Sequence, residues 1–264
     1  MAGSPSGGPG FSQSQGGPGP LRDWEIRAWL EWCTRRRSER TCRGYASYLQ
    51  RPLDPGNSWS VKAYRLLYAW RGLEPPAELR VPRARADLAV PSEGEVRLTL
   101  YRACTLDPRL CLVYRLLLES GARLVEVVEM LRGYDPSRDA EQPGWLEYRL
   151  DWRRGRKRAL ILFHTTRPRI PFDNTPSWAT QQAIRNGLVR PKYMRKFAAT
   201  KMLELEIPRD AVNFIQGRAG EDVLARHYLD RLVLARRHYP RYAEWVAQLY
   251  EELGLPQPQP AVHA

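Results

Sequence analysis

Gly121-Ala122-Arg123-Leu124-Val125-Glu126-Val127, directly after the apolar run Leu106–Ser120, decides how the second half of this chain is read. Gly121 stops one helix and Leu124 opens the next, so Arg123 stands at a helix N-terminus. The helix dipole disfavours a cation there, whereas an anion would be held by the guanidinium and the first-turn amides together. An ion pair to Glu126, one turn on, is the ordinary alternative.

Further basic side chains fall at element boundaries on either side. Trp145–Trp152 and Arg158–Phe163 read as two strands, joined by Arg153-Arg154-Gly155-Arg156-Lys157 with Gly155 in the turn. Lys157 is either a solvated turn residue or a general acid, since lysine can give up a proton and arginine effectively cannot. Pro191-Lys192-Tyr193-Met194-Arg195-Lys196-Phe197 opens another helix, with proline near its first position and Lys192 and Arg195 on one face. The plain reading there is a basic first turn touching DNA backbone. Arg218 follows Gly217 between helices at about 208–216 and 220–230, and Tyr228 lies in the second of these. One tyrosine among 13 is weak evidence by itself.

Composition bounds the partner. The chain has 264 residues, 43% hydrophobic and 10% aromatic, and a net charge of +13. A core of that size excludes wholesale disorder, and the charge predicts a polyanionic partner, nucleic acid first. Lysine occurs only at positions 62, 157, 192, 196 and 201, so the basic charge is mostly arginine. Arginine suits phosphate with its planar fork, although a GC-rich genome gives the same bias. No apolar run approaches the roughly 18 residues of a membrane helix, and the N-terminus lacks an export-signal layout. No membrane association and a cytoplasmic location are therefore expected. Cys33, Cys42, Cys104 and Cys111 have no CxxC spacing. Zinc is not expected; buried free thiols in a reduced compartment are, with Cys104 and Cys111 on one helix face.

The pattern divides the chain into a Gly/Pro/Ser/Gln tail over 1–20, a helical unit over 21–80, a linker over 81–88, a larger unit over 89–254 and a flexible tail over 255–264. The first unit holds helices at Asp23–Arg36, Ser38–Arg51 and Ser58–Gly72, with Ser38 and Ser58 as N-caps. The second opens at Pro91-Ser92-Glu93-Gly94-Glu95, then Leu106–Ser120 and Leu124–Leu131, the hairpin, and helices at about 191–205, 208–216, 220–230 and 241–253. The fold class is mainly α with a small antiparallel β-sheet.

These residues together resemble the tyrosine recombinases, the phage-integrase family, over roughly 89–250. Gly121–Val127 is similar to the family's first arginine box. Lys192-Tyr193-Met194-Arg195, followed by Ala198 and Ala199, is similar to its HxxR box. Phe214-Ile215-Gln216-Gly217-Arg218 stands where the family has an aliphatic residue, Gly and then His or Trp, and Lys157 takes the hairpin-turn lysine position. Lys192 replaces the family's His and Arg218 its His or Trp, as in archaeal virus and plasmid integrases. The segment 21–80 resembles the family's core-binding domain only in length and helicity.

The resemblance implies a catalytic set of Arg123, Lys157, Lys192, Arg195, Arg218 and the nucleophile Tyr228. Tyrosine would attack a DNA phosphodiester to form a 3′-phosphotyrosyl link. Arg123, Arg195 and Arg218 would clamp the phosphate, Lys157 would protonate the leaving 5′ oxygen, and Lys192 would accept the tyrosine proton or add a clamp. Neither a metal nor ATP nor another cofactor is implied. The partners implied are double-stranded attachment-site DNA and three further copies of the chain, in a homotetramer on DNA that is monomer or dimer when free. Tyr239–Leu253 is amphipathic and would either dock on a neighbouring copy, as in the family, or pack on its own domain. A type IB topoisomerase activity is the nearest alternative. A catalytically silent DNA-binding protein, with helices 191–205 and 208–216 as a helix-turn-helix, is the other.

Overall fold

In a computed structural model the chain is described over residues 18–82, 87–154, 157–218 and 221–255, and for 152–158 and 221–228 by backbone alone. It divides into two compact units, Met1–Asp87 and Leu88–Ala264. The expected tail over 1–20 falls outside the described residues up to position 17, and so does the middle of the expected linker.

The first unit contains α1 (Asp23–Thr34), α2 (Glu39–Leu49) and α3 (Ser58–Trp70) around Trp29, Leu49, Val61 and Leu67. Ser38 caps α2 through its hydroxyl, as the sequence suggests. Asn57, not Ser58, caps α3, its side chain accepting from Trp59 N at 2.9 Å. A carboxamide one residue earlier reaches two first-turn amides, which leaves Ser58 as the first helical residue.

The second unit begins with α4 (Glu93–Leu106), closed at its start by a reciprocal Ser92–Glu95 box. After it come α5 (Pro108–Ser120), α6 (Leu124–Arg132), a 3-10 turn and β1 (Asp139–Gln142), β2 (Trp145–Arg154) and β3 (Lys157–His164). Then α7 (Pro176–Arg185), α8 (Pro191–Glu204), α9 (Arg209–Ile215) and α10 (Glu221–Glu252) complete it. The sheet is antiparallel in the order β1-β2-β3, so the expected hairpin gains an outer strand. Asp139–Gln142 is short and polar at three of its four positions, with little alternation to betray it. The helix α7 is likewise new, amphipathic over only ten residues.

Two expectations are corrected by burial. The helices expected at 220–230 and 241–253 are one element, α10, which runs through Pro240. Proline costs that helix a hydrogen bond, but Leu232, Ala235, Tyr239, Tyr242, Val246 and Leu249 form one buried face across it. Arg236 of α10 also grips the buried Glu147 of β2 through two 2.7 Å contacts. That face packs on its own unit. The hydroxyls of Tyr239 and Tyr242 donate to Glu119 O (3.0 Å) and Leu118 O (2.7 Å) at the end of α5.

The cysteines are the second correction. Cys33 pairs with Cys42, and Cys104 with Cys111, as disulfides, so none of the four is a free thiol. Cys104 and Cys111 do not share a helix face. Asp107 and Pro108 break the helix between them, and the two face each other across the α4–α5 corner with Cα atoms 4.2 Å apart. Among the described residues no helix is long and apolar enough to cross a membrane.

Candidate active site

The site is built where α5 ends, α6 begins and the α9 terminus approaches. Gly121 ends α5 in the left-handed region (φ 56°), and a Cβ there would lie 2.6 Å from Gln216 Nε2. Both the turn and the close approach therefore require glycine. Arg123 is the N-cap of α6, and Glu126 reaches back to accept from its backbone N–H at 2.7 Å. The Arg123 guanidinium also bonds Glu126, whose side chain has no exposure to solvent. The ion pair to Glu126 is formed, and the same carboxylate also faces a second guanidinium.

Arg195, in the second turn of α8, donates to Gly121 O at 2.9 Å and lies 3.9 Å from Glu126 Oε2. Gly217 follows α9 with φ 63°, and Arg218 N closes that corner by donating to Asn213 O at 2.8 Å. Burial, with repulsion from Arg123 and then Arg218, pushes the Arg195 pKa down to about 9, against the pull of Glu126. Burial and Arg123 lower Arg218 in the same direction. With a pKa of about 9, Arg195 still carries its charge at neutral pH. Two guanidiniums share the buried Glu126 carboxylate and Arg218 adds its charge nearby, a formal surplus that an oxyanion would relieve.

A cavity of about 440 Å³ opens beside this cluster, lined by Arg123, Lys192, Arg195, Arg190, Thr180 and the apolar Ala122, Leu124 and Pro191. Lys192 Nζ sits 4.4 Å from the centre of the Tyr193 ring. Arg123, Lys192 and Arg195 are therefore brought to one cavity, with Arg218 close enough to perturb Arg195. Lys157 is the first residue of β3, opposite Arg154, and Tyr228 lies within α10. Their side chains lie outside the described residues. No group of three or more His, Cys, Asp or Glu that could hold a metal ion occurs among the described residues.

Sequence reasoning passes over two contributors. Gln216, buried beside Gly121, donates to Arg195 O at 2.8 Å and so ties α9 to α8; its signal was the residue preceding the Gly217-Arg218 corner. Arg190 carries no motif and is visible only once the cavity is formed.

A profile of the archaeal phage integrase family matches residues 88–245. The crystal structure of XerA recombinase is similar over 87% of this chain and 98% of that chain, at 17% identity and a TM-score of 0.37. No curated protein matches. The profile covers more than half of the chain and contains Arg123, Lys157, Lys192, Arg195, Arg218 and Tyr228. On that match the chain belongs to the archaeal phage integrases, a family of tyrosine recombinases.

Proposed function

We propose that this chain cleaves and rejoins double-stranded DNA at specific attachment sites through a 3′-phosphotyrosyl intermediate on Tyr228, without metal or ATP. The observation that carries this reading is the pairing of Arg123 and Arg195 on the buried carboxylate of Glu126, with the Arg218 charge close enough to perturb Arg195. Such a cluster fits a phosphodiester whose non-bridging oxygens gain charge as phosphorus becomes five-coordinate, the role a divalent cation plays elsewhere.

Phenols titrate near pH 10, so Tyr228 must lose its proton as it attacks phosphorus. Lys192 serves as the proton acceptor or as a further clamp. The P–O5′ bond breaks as the bond to the tyrosine oxygen forms, and Lys157 gives a proton to the leaving 5′ oxygen. Rejoining reverses the same bonds, and their energy is kept in the phosphotyrosine. Exchange of strands between two duplexes calls for four copies on DNA, free copies being monomers or dimers. The setting is the cytoplasm of a cell carrying an archaeal virus or plasmid.

The test uses nicked duplexes and a supercoiled plasmid in the presence of a chelator. A denaturant-resistant protein–DNA adduct on Tyr228 is expected, lost in Tyr228→Phe while DNA binding persists. An adduct on Tyr193, whose ring lies beside Lys192, would keep the chemistry and move the nucleophile. Tight binding with no adduct on any substrate would overturn the proposal in favour of a silent DNA-binding protein.

A further inference from the structure

The cavity beside Arg123 and Arg195 is larger than one phosphate needs. At about 440 Å³ it lies within the range of roughly 300–1,000 Å³ that holds small molecules, and it extends along the α7–α8 corner to Thr180, Arg190 and Pro191. Among the described residues its wall includes four cationic side chains and no carboxylate. Three of them, Arg123, Lys192 and Arg195, are assigned above to the phosphate under attack. Arg190 is not.

The backbone beneath Arg190 is fixed from both sides. Val189 N donates to Thr99 Oγ1 at 3.1 Å, the Tyr114 hydroxyl donates to Val189 O at 2.6 Å, and Pro191 is buried. Arg190 is also the N-cap of α8, with no side-chain capping bond and no acid in the first turn. Ser, Thr, Asp or Asn normally fill that position, and a cation there opposes the dipole. The choice is locally unfavourable and becomes sensible with an anion in the cavity. The Thr180 hydroxyl already donates to Pro176 O at 3.0 Å, so Arg190 brings the unassigned donors.

We infer that Arg190 is a positioning residue that holds the phosphate next to the one under attack on the same strand. The cavity then grips one sugar–phosphate unit at both ends, with the sugar against Ala122, Leu124 and Pro191. This rests on the proposed role of the arginine cluster.

The test is register-free and makes no covalent bond. Thymidine 3′,5′-bisphosphate and the 3′- and 5′-monophosphates are titrated into the full chain at low salt. The bisphosphate is expected to bind about tenfold more tightly than the better monophosphate, a charge-assisted contact's effect. In Arg190→Ala that ratio should fall to within about twofold of unity, and Arg190→Lys should restore part of it, since a point charge replaces the fork. Melting curves of both variants establish that they fold. An unchanged ratio in Arg190→Ala, no bisphosphate advantage in the wild type, or no binding at all would overturn the inference. None of these outcomes alters the Tyr228 adduct assay, and a failed adduct assay leaves the binding ratio standing.

Discussion

Replacing Glu126 with Gln removes the negative charge that Arg123 and Arg195 share while keeping the side chain's size. The carboxylate accepts from the Arg123 N–H and guanidinium, lies 3.9 Å from Arg195 Nη1, and is wholly buried. Removing one partner of a buried ion pair costs on the order of 3–5 kcal/mol. Glutamine keeps one accepting oxygen but turns an NH2 toward N–H donors, so about 3 kcal/mol is expected. For a unit of this size that lowers Tm by roughly 6–12 °C. The same change raises the local surplus by one charge, so oxyanions should stabilise the variant more than the wild type. Thermal melts with and without about 50 mM sulfate read both effects, since a ligand of the folded state raises Tm by mass action. A variant whose Tm lies within about 1 °C of wild type, with an equal sulfate response, would refute the idea that Glu126 organises the arginines.

Gly121→Ala forces a Cβ into the left-handed region and against Gln216 Nε2, and should cost about 2–3 kcal/mol in urea unfolding. Because Gln216 holds Arg195 O, DNA cleavage by that variant should fall as well. The disulfides, spanning 9 and 7 residues, should each contribute about 2.5 kcal/mol by loop-closure entropy, so reductant should lower Tm and release four thiols in a thiol assay. Burial opposes the charge of Glu119, yet Arg115 and hydrogen bonds from Thr165 and Thr166 hold its carboxyl below the ordinary 4.5. A depressed folded pKa means that this stabilisation is present above about pH 4.5 and lost as pH falls through the folded value; Glu119→Gln should flatten the acid limb of a stability–pH curve.

The sequence revealed most where a residue's local chemistry and its final environment agree. Gly121, Arg123 and Arg195 sit at helix boundaries, and local rules place them there. Their convergence was legible only through the resemblance, because nothing in the spacing from 123 to 195 fixes a distance in space. Elsewhere tertiary packing won. Pro240 reads as a helix end, but the buried face on both sides of it keeps α10 continuous. Cys104 and Cys111 look like one helix face until Asp107 caps a new helix between them. Arg190 has no signal of its own: an arginine before a proline resembles any surface charge until a cavity forms beside it.

If one of the chain's 13 tyrosines attacks phosphate, as proposed, the others must be kept from reacting, and α10 holds three of them in place. Tyr239, Tyr242 and Tyr250 share that helix with Tyr228. Each is fully buried, and burial together with the Glu119 charge pushes its phenol well above the ordinary value. Their hydroxyls donate to Glu119 O, Leu118 O and Glu119 Oε1, so their protons are committed to acceptors at the end of α5. A phenol so buried has no access to DNA. The contacts that lock these three tyrosines also anchor α10 to α5, next to the Gly121 corner from which Arg123 projects. Anchoring the helix and burying these three tyrosines are thus one piece of chemistry.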